Sequence, residues 1–492
     1  MVAQVELPGR GVPVLGEPDV LVCGGGPAGF TAAVASARNG ASTALLERYG
    51  FLGGMASAGM VNPIYGFFAR HLQIVTGIPQ ELIDRLARIP GGTAGHMCRH
   101  DCVSRRAQYG ECVTRRDEKG CPVASVANVC PVDGEAVKLA ALQLVADAGV
   151  DYHLHTQIVE IIRRDHRIET VIVHGKSGYG AYRPKIVIDA TGDADVAAWA
   201  GVPFHQGNEE DGSVKPPTLM FRIGNVKLTK DRILVRWPAQ AVEEPGLRMT
   251  LPCWLMALPR PGEYTVNSPS GLSNFDPTQT EHLSKGQAET TRQVFQKLEL
   301  LRKYTPGCEE AVLLSIAPQL GLRDSRRIVG EYVLTEDDVL ASRKFDDGVV
   351  NGVHPIDLHV PSTRYAGRHL IPTPCGDYYQ IPYRCLLPLG IENLLVAGRS
   401  ISATFTAQGS TREMATCMAM GQAAGTAAAL AVRQPCAPSD ANPTEIKRTL
   451  LAQGAYLGQE NNIPAWNQGN APLPPEYASP RAERIIDQRN AT

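Results

Sequence analysis

The stretch that decides the fold runs from residue 19 to residue 47 and reads DVLVCGGGPAGFTAAVASARNGASTALLE. Its first five residues, Asp19 to Cys23, form a short apolar run that is typical of a buried parallel strand. A glycine turn follows, and helical spacing then continues to Asn39-Gly40, which is a favourable helix end. Thr43 to Leu46 is a second apolar run, and Glu47 follows it directly. The stretch therefore predicts a strand–helix–strand unit.

The turn in this unit has the spacing of a nucleotide-binding loop. Gly24, Gly26 and Gly29 fit the pattern G-x-G-x-x-G. The first glycine permits the tight turn, the second lets the backbone approach a diphosphate, and the third lets the helix pack on the strand. The helix N-terminus then offers free N–H groups to phosphate oxygens. Glu47 stands about twenty residues further on, where a carboxylate can bind ribose hydroxyls. These features together predict a dinucleotide-binding fold.

Two later strand signals favour FAD over a nicotinamide cofactor. Residues 185–190 (KIVIDA) form a buried-strand pattern that ends in the turn Thr191-Gly192-Asp193. Residues 393–397 (NLLVA) form another, followed by the turn Gly398-Arg399 and a long helical pattern. A simple nicotinamide-binding domain does not need this returning strand and helix. Pro27, between the second and third glycines, is also more usual in FAD-binding folds. The cofactor expected from the sequence is therefore FAD.

The predicted fold class is α/β, with a Rossmann-like FAD-binding domain built from discontinuous segments and a second, mixed and largely antiparallel substrate domain. The predicted divisions are a FAD-binding domain at 1–202 with a cysteine-rich insertion at about 91–131, a substrate domain at 203–370, a returning FAD-binding segment at 371–435 and a C-terminal tail at 436–492.

The overall composition excludes some classes of partner. The formal net charge is -2, so no global field attracts nucleic acid or an anionic membrane. The apolar pattern near residues 415–432 is rich in Ala and Gly and contains Gln422, which favours a buried helix over a membrane span. The N-terminus has no secretory signal pattern, so the sequence predicts a cytoplasmic protein with reduced cysteines.

The motifs in combination resemble a known family. The stretches that carry the resemblance are the one beginning at residue 19, VIDATGDADVAAWAGVPF, GLRDSRRIVGEYVLTEDDV, YYQIPYRCLLP and NLLVAGRSISATFTAQGSTREMATCMAMGQAAG. Together they resemble the FAD-dependent oxidoreductase family of the glutathione-reductase-like superfamily, whose wider fold includes the fumarate reductase and succinate dehydrogenase flavoproteins. The resemblance covers most of the chain from about residue 19 to residue 432, and it implies FAD binding and hydride chemistry.

The resemblance also implies cofactor contacts. Some residues would contact the diphosphate, others the adenosine, the loop beneath the flavin, or the ribityl and isoalloxazine end. The cofactor-binding candidates are Gly24, Gly26, Pro27, Ala28, Gly29, Glu47, Arg48, Gly53, Gly54, Met55, Val159, Ala190, Thr191, Gly192, Gly398, Arg399, Gly421 and Gln422. His71 and Cys385 are candidates for covalent flavin attachment, although each also fits an ordinary role.

Three residues are the candidate catalytic residues. Arg412 is expected to open the long helix, and the resemblance implies a substrate carboxylate as its partner, since a planar guanidinium pairs bidentately with carboxylates. A direct contact to the reduced flavin is an equal alternative. Tyr379 fits either a flavin contact or an ordinary core role. His354 and His359 form a possible acid–base pair, but their spacing of five residues argues against a shared metal.

Of Arg323, Arg326 and Arg327, at least two are expected to form structural ion pairs.

The function that the sequence predicts is a FAD-dependent dehydrogenase or oxidase that transfers a hydride from a small organic substrate to flavin N5. The electron acceptor would be oxygen or a redox partner. The alternatives are a flavin monooxygenase and a non-catalytic binding protein that retains the dinucleotide fold, because a fold does not fix a function.

The cysteine-rich stretch generates the first prediction. Cys98, Cys102, Cys112, Cys121 and Cys130 include no C-x-x-C pair, which favours free thiols over zinc ligands, an iron–sulfur cluster or a redox-active dithiol. We expect elemental analysis of the purified protein to find no stoichiometric iron and no acid-labile sulfide. About one zinc ion or one cluster per chain would contradict this prediction.

Overall fold

The computed structural model describes residues 9, 11–69, 72–95, 129–228, 232–235, 237, 253–268, 270, 272, 274–360, 367–374 and 377–458. Most of the cysteine-rich insertion, His71 and the end of the predicted C-terminal tail lie outside the described residues.

Nine helices occur in the described ranges. In chain order they are α1 (Pro27–Arg38), α2 (Ile78–Arg88), α3 (Gly134–Asp147), α4 (Asp195–Trp199), α5 (Thr280–Tyr304), α6 (Glu336–Leu340), α7 (Phe405–Thr411), α8 (Met414–Arg433) and α9 (Pro443–Ala452).

Twenty-four strands occur in the same ranges. They are β1 (Val14–Gly16), β2 (Val20–Cys23), β3 (Thr43–Leu46), β4 (Ile64–Tyr65), β5 (Phe68–Ala69), β6 (Leu72–Gln73), β7 (Val129–Cys130), β8 (Asp151–His153), β9 (Gln157–Arg164), β10 (Arg167–Gly175), β11 (Gly178–Tyr182), β12 (Ile186–Asp189), β13 (Phe204–Gln206), β14 (Phe221–Gly224), β15 (Arg232–Val235), β16 (Cys253–Ala257), β17 (Tyr264–Asn267), β18 (Val312–Ile316), β19 (Arg326–Ile328), β20 (Gly348–Gly352), β21 (Ile356–Val360), β22 (Gly367–Ile371), β23 (Tyr379–Pro382) and β24 (Leu394–Val396).

A five-stranded parallel sheet is the centre of the nucleotide-binding unit. Its strand order is β24-β12-β2-β3-β8, so the late strand β24 pairs with β12 as the sequence predicts. Side chains of β2 alternate between the two faces of the sheet. Val20 and Val22 pack towards α1, α3 and α8, whereas Leu21 and Cys23 pack towards the four-stranded sheet β1-β11-β10-β9. The parallel sheet is therefore buried on both faces, which explains its continuous apolar strands.

A second sheet forms the opposite unit of the molecule. Its strand order is β15-β16-β17-β14-β18, and every pair in it is antiparallel. Phe221, Leu255 and Val266 from this sheet share a core with Val294 and Leu301 from α5. The predicted fold class is confirmed: an α/β unit with discontinuous strands accompanies a largely antiparallel one. The residue bounds of the domains stay a prediction.

Helices α1 and α8 pack so closely that their backbones almost touch. A methyl group on Gly421 would lie 2.0 Å from the carbonyl oxygen of Ala28, and one on Gly425 would lie 2.1 Å from that of Ala32. The Thr31 hydroxyl donates a hydrogen bond to the Met418 carbonyl at 2.9 Å. Helix α8 is long and apolar enough to cross a membrane, but 89% of its apolar window is buried within the protein. It is therefore a core helix.

This close packing predicts the effect of one added methyl group. Gly421→Ala should lower the free energy of unfolding by roughly 1–3 kcal/mol or more, because neither backbone can move apart without disturbing the sheet. Urea denaturation measures the change. Gly11→Ala is the control, since a methyl group there meets nothing within 4 Å. Equal stability of the two variants would show that the helices separate at little cost.

Candidate active site

A cavity of about 430 Å³ lies at the carboxyl ends of three parallel strands. Gly24, Ala190 and Ala397 directly follow β2, β12 and β24, and all three line the cavity. Ligands of open α/β sheets bind at this edge, where the strand order reverses. The opposite wall comes from the antiparallel sheet and α5, so the cavity lies between the two units.

The three glycines of the turn between β2 and α1 have different reasons to be glycine. Gly24 has a φ of +101°, and a methyl group on it would lie 2.6 Å from the Ala190 oxygen. One on Gly29 would lie 1.7 Å from the Gly24 oxygen. Gly26 has an ordinary φ of −71°, and its nearest protein neighbour would be the Gly54 Cα at 3.8 Å. The protein's own backbone therefore requires the first and third glycines, whereas Gly26 leaves room for a molecule in the cavity.

The carboxylate of Glu47 organises this turn from the end of β3. One oxygen accepts from the Gly25 N–H at 2.7 Å, and the other accepts from the Tyr49 N–H at 2.9 Å. Burial raises the pKa of Glu47, and these backbone hydrogen bonds oppose the rise. Glu47 and Arg48 both line the cavity. Glu47 thus supports the glycine turn and also faces the cavity.

Asp189 and Arg399 fix the second loop. Asp189 is 1% exposed and accepts hydrogen bonds from the Thr191 N–H, the Thr191 hydroxyl and the Ala197 N–H. Burial raises its pKa to about 6. Arg399 donates to the Gly192 oxygen at 2.7 Å, pairs with Asp193 at 2.6 Å and also donates to the Leu322 oxygen. One arginine therefore ties the returning segment, the Thr191 turn and the second unit together.

The structure brings most of the predicted residues to the cavity. Those that line it are Gly24, Gly26, Pro27, Ala28, Glu47, Arg48, Gly54, Met55, Ala190, Thr191, Gly192, Gly398, Arg399, His354 and Arg412. Those that do not are Gly29, Gly53, Val159, Gly421, Gln422 and Tyr379.

Packing explains most of the residues that lie outside the lining. Gly29 and Gly421 permit backbone contacts to β2 and α1, as described above. Gln422 is 1% exposed and accepts a hydrogen bond from the Ile78 N–H at 3.0 Å. Gly53 has a φ of +108°, and its N–H donates to the Gly25 oxygen at 2.9 Å. These four residues support the cavity from behind.

Val159 and Tyr379 differ from expectation for other reasons. Thr156, Gln157 and Ile158 line the cavity, whereas Val159 lies further along β9 and is 36% exposed. Tyr379 is buried, and its hydroxyl forms a 2.7 Å hydrogen bond with the Ser410 hydroxyl. A tyrosine beside an apolar segment looks the same in sequence whether it faces a ligand or the core. Cys385 is likewise buried and outside the lining, which is no position for a covalent flavin link.

His354 has a defined tautomer in the cavity wall. Its Nδ1 lies 2.8 Å from the Pro355 carbonyl oxygen, which can only accept, so Nδ1 carries the proton of the neutral ring. Nε2 then has a lone pair, and it forms no hydrogen bond within the described part of the chain. The Glu413 carboxylate lies 3.9 Å from Nδ1. In this tautomer, Nε2 of His354 is free to accept a proton, and the Glu413 carboxylate lies beside Nδ1.

Arg412 does not open the long helix, contrary to expectation. It caps the C-terminal end of α7, and Glu413 is the N-cap of α8. Arg412 lies 3.3 Å from Asp357 and 3.8 Å from Glu413, and its Nε is buried without a hydrogen-bond partner. Arg412 lines the cavity, and its Nη1 forms no hydrogen bond within the described part of the chain, so that donor is available for an anion.

Asp357 and Glu413 also line the cavity, although the sequence did not single them out, and the sequence paired His359 with His354. Asp357 and His359 are two residues apart on β21, line the cavity together, and approach to 3.1 Å. The alternation of side chains along a strand was the signal, since it pairs these two rather than His354 with His359. Glu413 had no signal beyond following Arg412. Among the residues that the structure describes, no cluster of His, Cys, Asp or Glu has the arrangement of a metal site.

The opposite wall combines apolar and polar side chains. Met220, Trp254, Met256 and Leu283 form its apolar part. Thr218, Asn267 and Arg323 form its polar part, and Arg323 donates to Thr218 at 2.5 Å. Arg326 pairs with Asp195, and Arg327 pairs with Asp324 and Glu209. Two of the three arginines are thus structural, as predicted, and the third faces the cavity.

Comparison with known proteins identifies the family. Residues 19–450 match the sequence model of the FAD dependent oxidoreductase family. The chain belongs to this family. It is therefore a FAD-dependent oxidoreductase, and its cofactor is FAD. No curated protein sequence matches the chain significantly.

Several solved structures are distantly similar to this chain. A geranylgeranyl bacteriochlorophyll reductase-like protein from Thermoplasma acidophilum is 16% identical, with coverage of 96% of this chain and 91% of its own and a TM-score of 0.44. A p-nitrophenol 4-monooxygenase from Pseudomonas putida is 12% identical, with coverage of 97% and 98% and a TM-score of 0.46. A flavin-dependent brominase is 11% identical, with coverage of 97% and 100% and a TM-score of 0.42. At these identities and TM-scores, the neighbours' reactions do not transfer to this FAD-dependent oxidoreductase.

The open space at Gly26 predicts a separation between folding and cofactor binding. Gly26→Ala should leave the FAD-free protein as stable as before, or slightly more stable, because its φ and surroundings accept a side chain. The methyl group should nevertheless obstruct the diphosphate and weaken FAD binding at least tenfold. Fluorescence titration of the apoprotein with FAD measures the affinity, and urea denaturation measures the stability. Undiminished FAD affinity would exclude a diphosphate at Gly26.

Proposed function

We propose that this FAD-dependent oxidoreductase is a dehydrogenase or oxidase that removes a hydride from a small organic substrate held between its two units. The observation that carries the proposal is the tautomer of His354, which leaves Nε2 as a base in the cavity wall. FAD supplies the hydride acceptor at flavin N5 when it is bound. The protein must therefore hold the substrate, exclude water and accept the proton that leaves with the hydride.

The residues that line the cavity would hold FAD along the edge of the parallel sheet. The diphosphate would lie against Gly26 and the N-terminus of α1, where Pro27 and Ala28 line the cavity. Glu47 would bind the adenosine ribose, and the start of β9 would lie near the adenine. The flavin would reach the region of Gly54, Met55, Gly398 and Arg412. We further propose that the fold is that of the glutathione-reductase-like superfamily, which the returning strand β24 supports.

His354 would take the substrate proton on Nε2. Proton uptake makes the ring cationic, and the Glu413 carboxylate 3.9 Å from Nδ1 stabilises that charge. The hydrogen bond from Nδ1 to the Pro355 oxygen keeps the ring oriented throughout. Tyr379 then has a supporting role, because Ser410 links its hydroxyl to the His354 carbonyl oxygen.

Arg412 would hold negative charge at the reacting end of the cavity. Two partners fit its donors: a substrate carboxylate, or the N1–C2=O end of the flavin, which gains negative charge on reduction. The apolar group of Met220, Trp254 and Met256 would cover the rest of a small substrate and exclude water. Oxygen or a redox partner would then reoxidise the flavin. We further propose that the enzyme is located in the cytoplasm, as expected from the sequence.

An anaerobic screen of alcohols, hydroxy acids, amines and sugars tests the reaction. A substrate of a dehydrogenase or oxidase should bleach the flavin absorbance without added reductant. A flavin that is reduced only by a nicotinamide cofactor, with oxygen then incorporated into product, would instead support a monooxygenase. Protein that binds FAD but whose flavin responds to none of these compounds would contradict the proposed substrate classes.

Arg412→Lys tests the reacting end. Lysine keeps the charge but lacks the planar fork. The variant should retain FAD. A substrate found in the screen should reduce its flavin at least tenfold more slowly than in the wild type, which corresponds to a loss of about 1.4 kcal/mol of transition-state stabilisation. Stopped-flow absorbance measures the rate. Arg384→Lys is a matched control, since Arg384 forms a two-pronged pair with Asp347 at the surface.

Each outcome for Arg412→Lys has a distinct meaning. An unchanged rate would remove Arg412 from the reacting end. Loss of FAD would instead make it a cofactor-binding residue.

A further inference from the structure

A buried lysine lies behind the cavity and has no part in the reaction described so far. Lys215 is 1% exposed and forms no ion pair within the described ranges. Its ammonium donates to the Phe405 carbonyl oxygen at 2.9 Å and to Gln408 Oε1 at 2.8 Å, and it lies 3.5 Å from the centre of the Phe405 ring. Burying an ammonium without a counterion is costly, so this arrangement requires an explanation.

The contacts of Lys215 lead to two of the arginines that line the cavity, Arg412 and Arg323. Phe405 and Gln408 belong to α7, the seven-residue helix that Arg412 caps. Gln408 also donates from Nε2 to the Arg323 carbonyl oxygen at 3.0 Å. Arg412 lies on the side of the cavity where we place the flavin, and Arg323 lies on the opposite wall. One lysine therefore supports the segments that carry both.

The charges around Lys215 come from three other segments. Asp324 and Arg327 face it from the segment at β19, Glu209 faces it from the loop after β13, and Arg412 faces it from the end of α7. Both carboxylates already pair with Arg327 at 3.0 Å. Burial lowers the pKa of Lys215 to about 7, with Asp324 opposing the change and Arg412 adding to it. The lysine can therefore change charge near neutral pH.

We propose that Lys215 is a positioning residue that fixes α7 and takes up a proton when negative charge arrives beside Arg412. An anion at Arg412 screens the repulsion between the guanidinium and the ammonium, so the charged form of the lysine becomes more favourable. A neutral amine still has two N–H donors for Phe405 and Gln408, so α7 stays in place while the charge changes. The inference rests on the proposed function in one respect, which is that Arg412 faces the reduced flavin or an anionic substrate.

The midpoint potential of bound FAD tests this without a substrate. The FAD-loaded enzyme and Lys215→Met are titrated reductively against reference dyes between pH 6 and pH 9.5. At pH 6 the wild-type potential should lie roughly 30 mV above that of the variant, which corresponds to a tenfold difference for two electrons. The two curves should converge at high pH, where the wild-type lysine is also neutral. Parallel or identical curves would overturn the proposal, because a purely structural role gives an offset that does not depend on pH.

Lys297→Met is the matched control. Lys297 is also buried, on α5, and its ammonium donates to the Ser268 carbonyl oxygen at 3.2 Å. The midpoint potential of FAD in Lys297→Met should equal that in the wild type at every pH. A shift equal to that of Lys215→Met would overturn the proposal. Lys215→Gln keeps a neutral donor and should reproduce the Met curve if the Met variant folds poorly.

The stability of the FAD-free protein gives a second readout. The folded pKa of Lys215 is about 7, below the ordinary value of 10.5 that applies to the unfolded chain. The unfolded chain therefore binds more protons between these values, so the stability of the wild type relative to Lys215→Met should rise from pH 7 to pH 10.5. A stability difference that does not change with pH would show that Lys215 does not titrate with a lowered pKa in the folded protein.

The Arg412 variants separate this inference from the proposed function. If Arg412→Met lowers the midpoint potential and Lys215→Met does not, the inference fails alone. If substitution of Arg412 changes neither the midpoint potential nor the rate of flavin reduction, the proposed role of Arg412 and the inference about Lys215 both fail.

Discussion

The close approach of three backbones underlies this structure. Gly29 lies against the turn after β2, and Gly421 and Gly425 lie against α1, each at a distance that excludes even a methyl group. Helix α1 is therefore fixed from both sides. Its N-terminus carries the part of the cavity suited to a diphosphate, and the N-terminus of α8 carries Met414 and Cys417 into the same cavity. The separation between the glycine turn and Arg412 consequently depends on a contact between helices rather than on any side chain at the site.

Arg399 performs a comparable task between the two units. It links the Gly192 oxygen and Asp193 of the nucleotide-binding unit to the Leu322 oxygen, next to the cavity-facing Arg323. Its side chain is 13% exposed, so the ion pair with Asp193 is shielded from water. The opposite wall is thereby held at a defined position over the FAD-binding edge.

The sequence was sufficient for the features that depend on local chain geometry. The glycine turn, Glu47 and the strands β12 and β24 could be predicted because each leaves its pattern in a continuous stretch of sequence. Features that depend on which face of an element meets a cavity could not be predicted in the same way. Gly421 looked like a cofactor contact, although its neighbour is the Ala28 backbone. Trp254 and Asn267 come together only because β16 pairs with β17, and nothing in one strand's sequence names its partner.

The contact between α1 and α8 also has a consequence for biosynthesis. The hydrogen bond from Thr31 to Met418 joins residues 387 positions apart. At the usual 5–20 residues per second, a ribosome needs roughly 20 to 80 s to add the segment between them. During that interval, the face of α1 that packs against α8 is uncovered and the parallel sheet lacks its edge strand β24. The pocket for FAD is therefore complete only after α8 has left the ribosome.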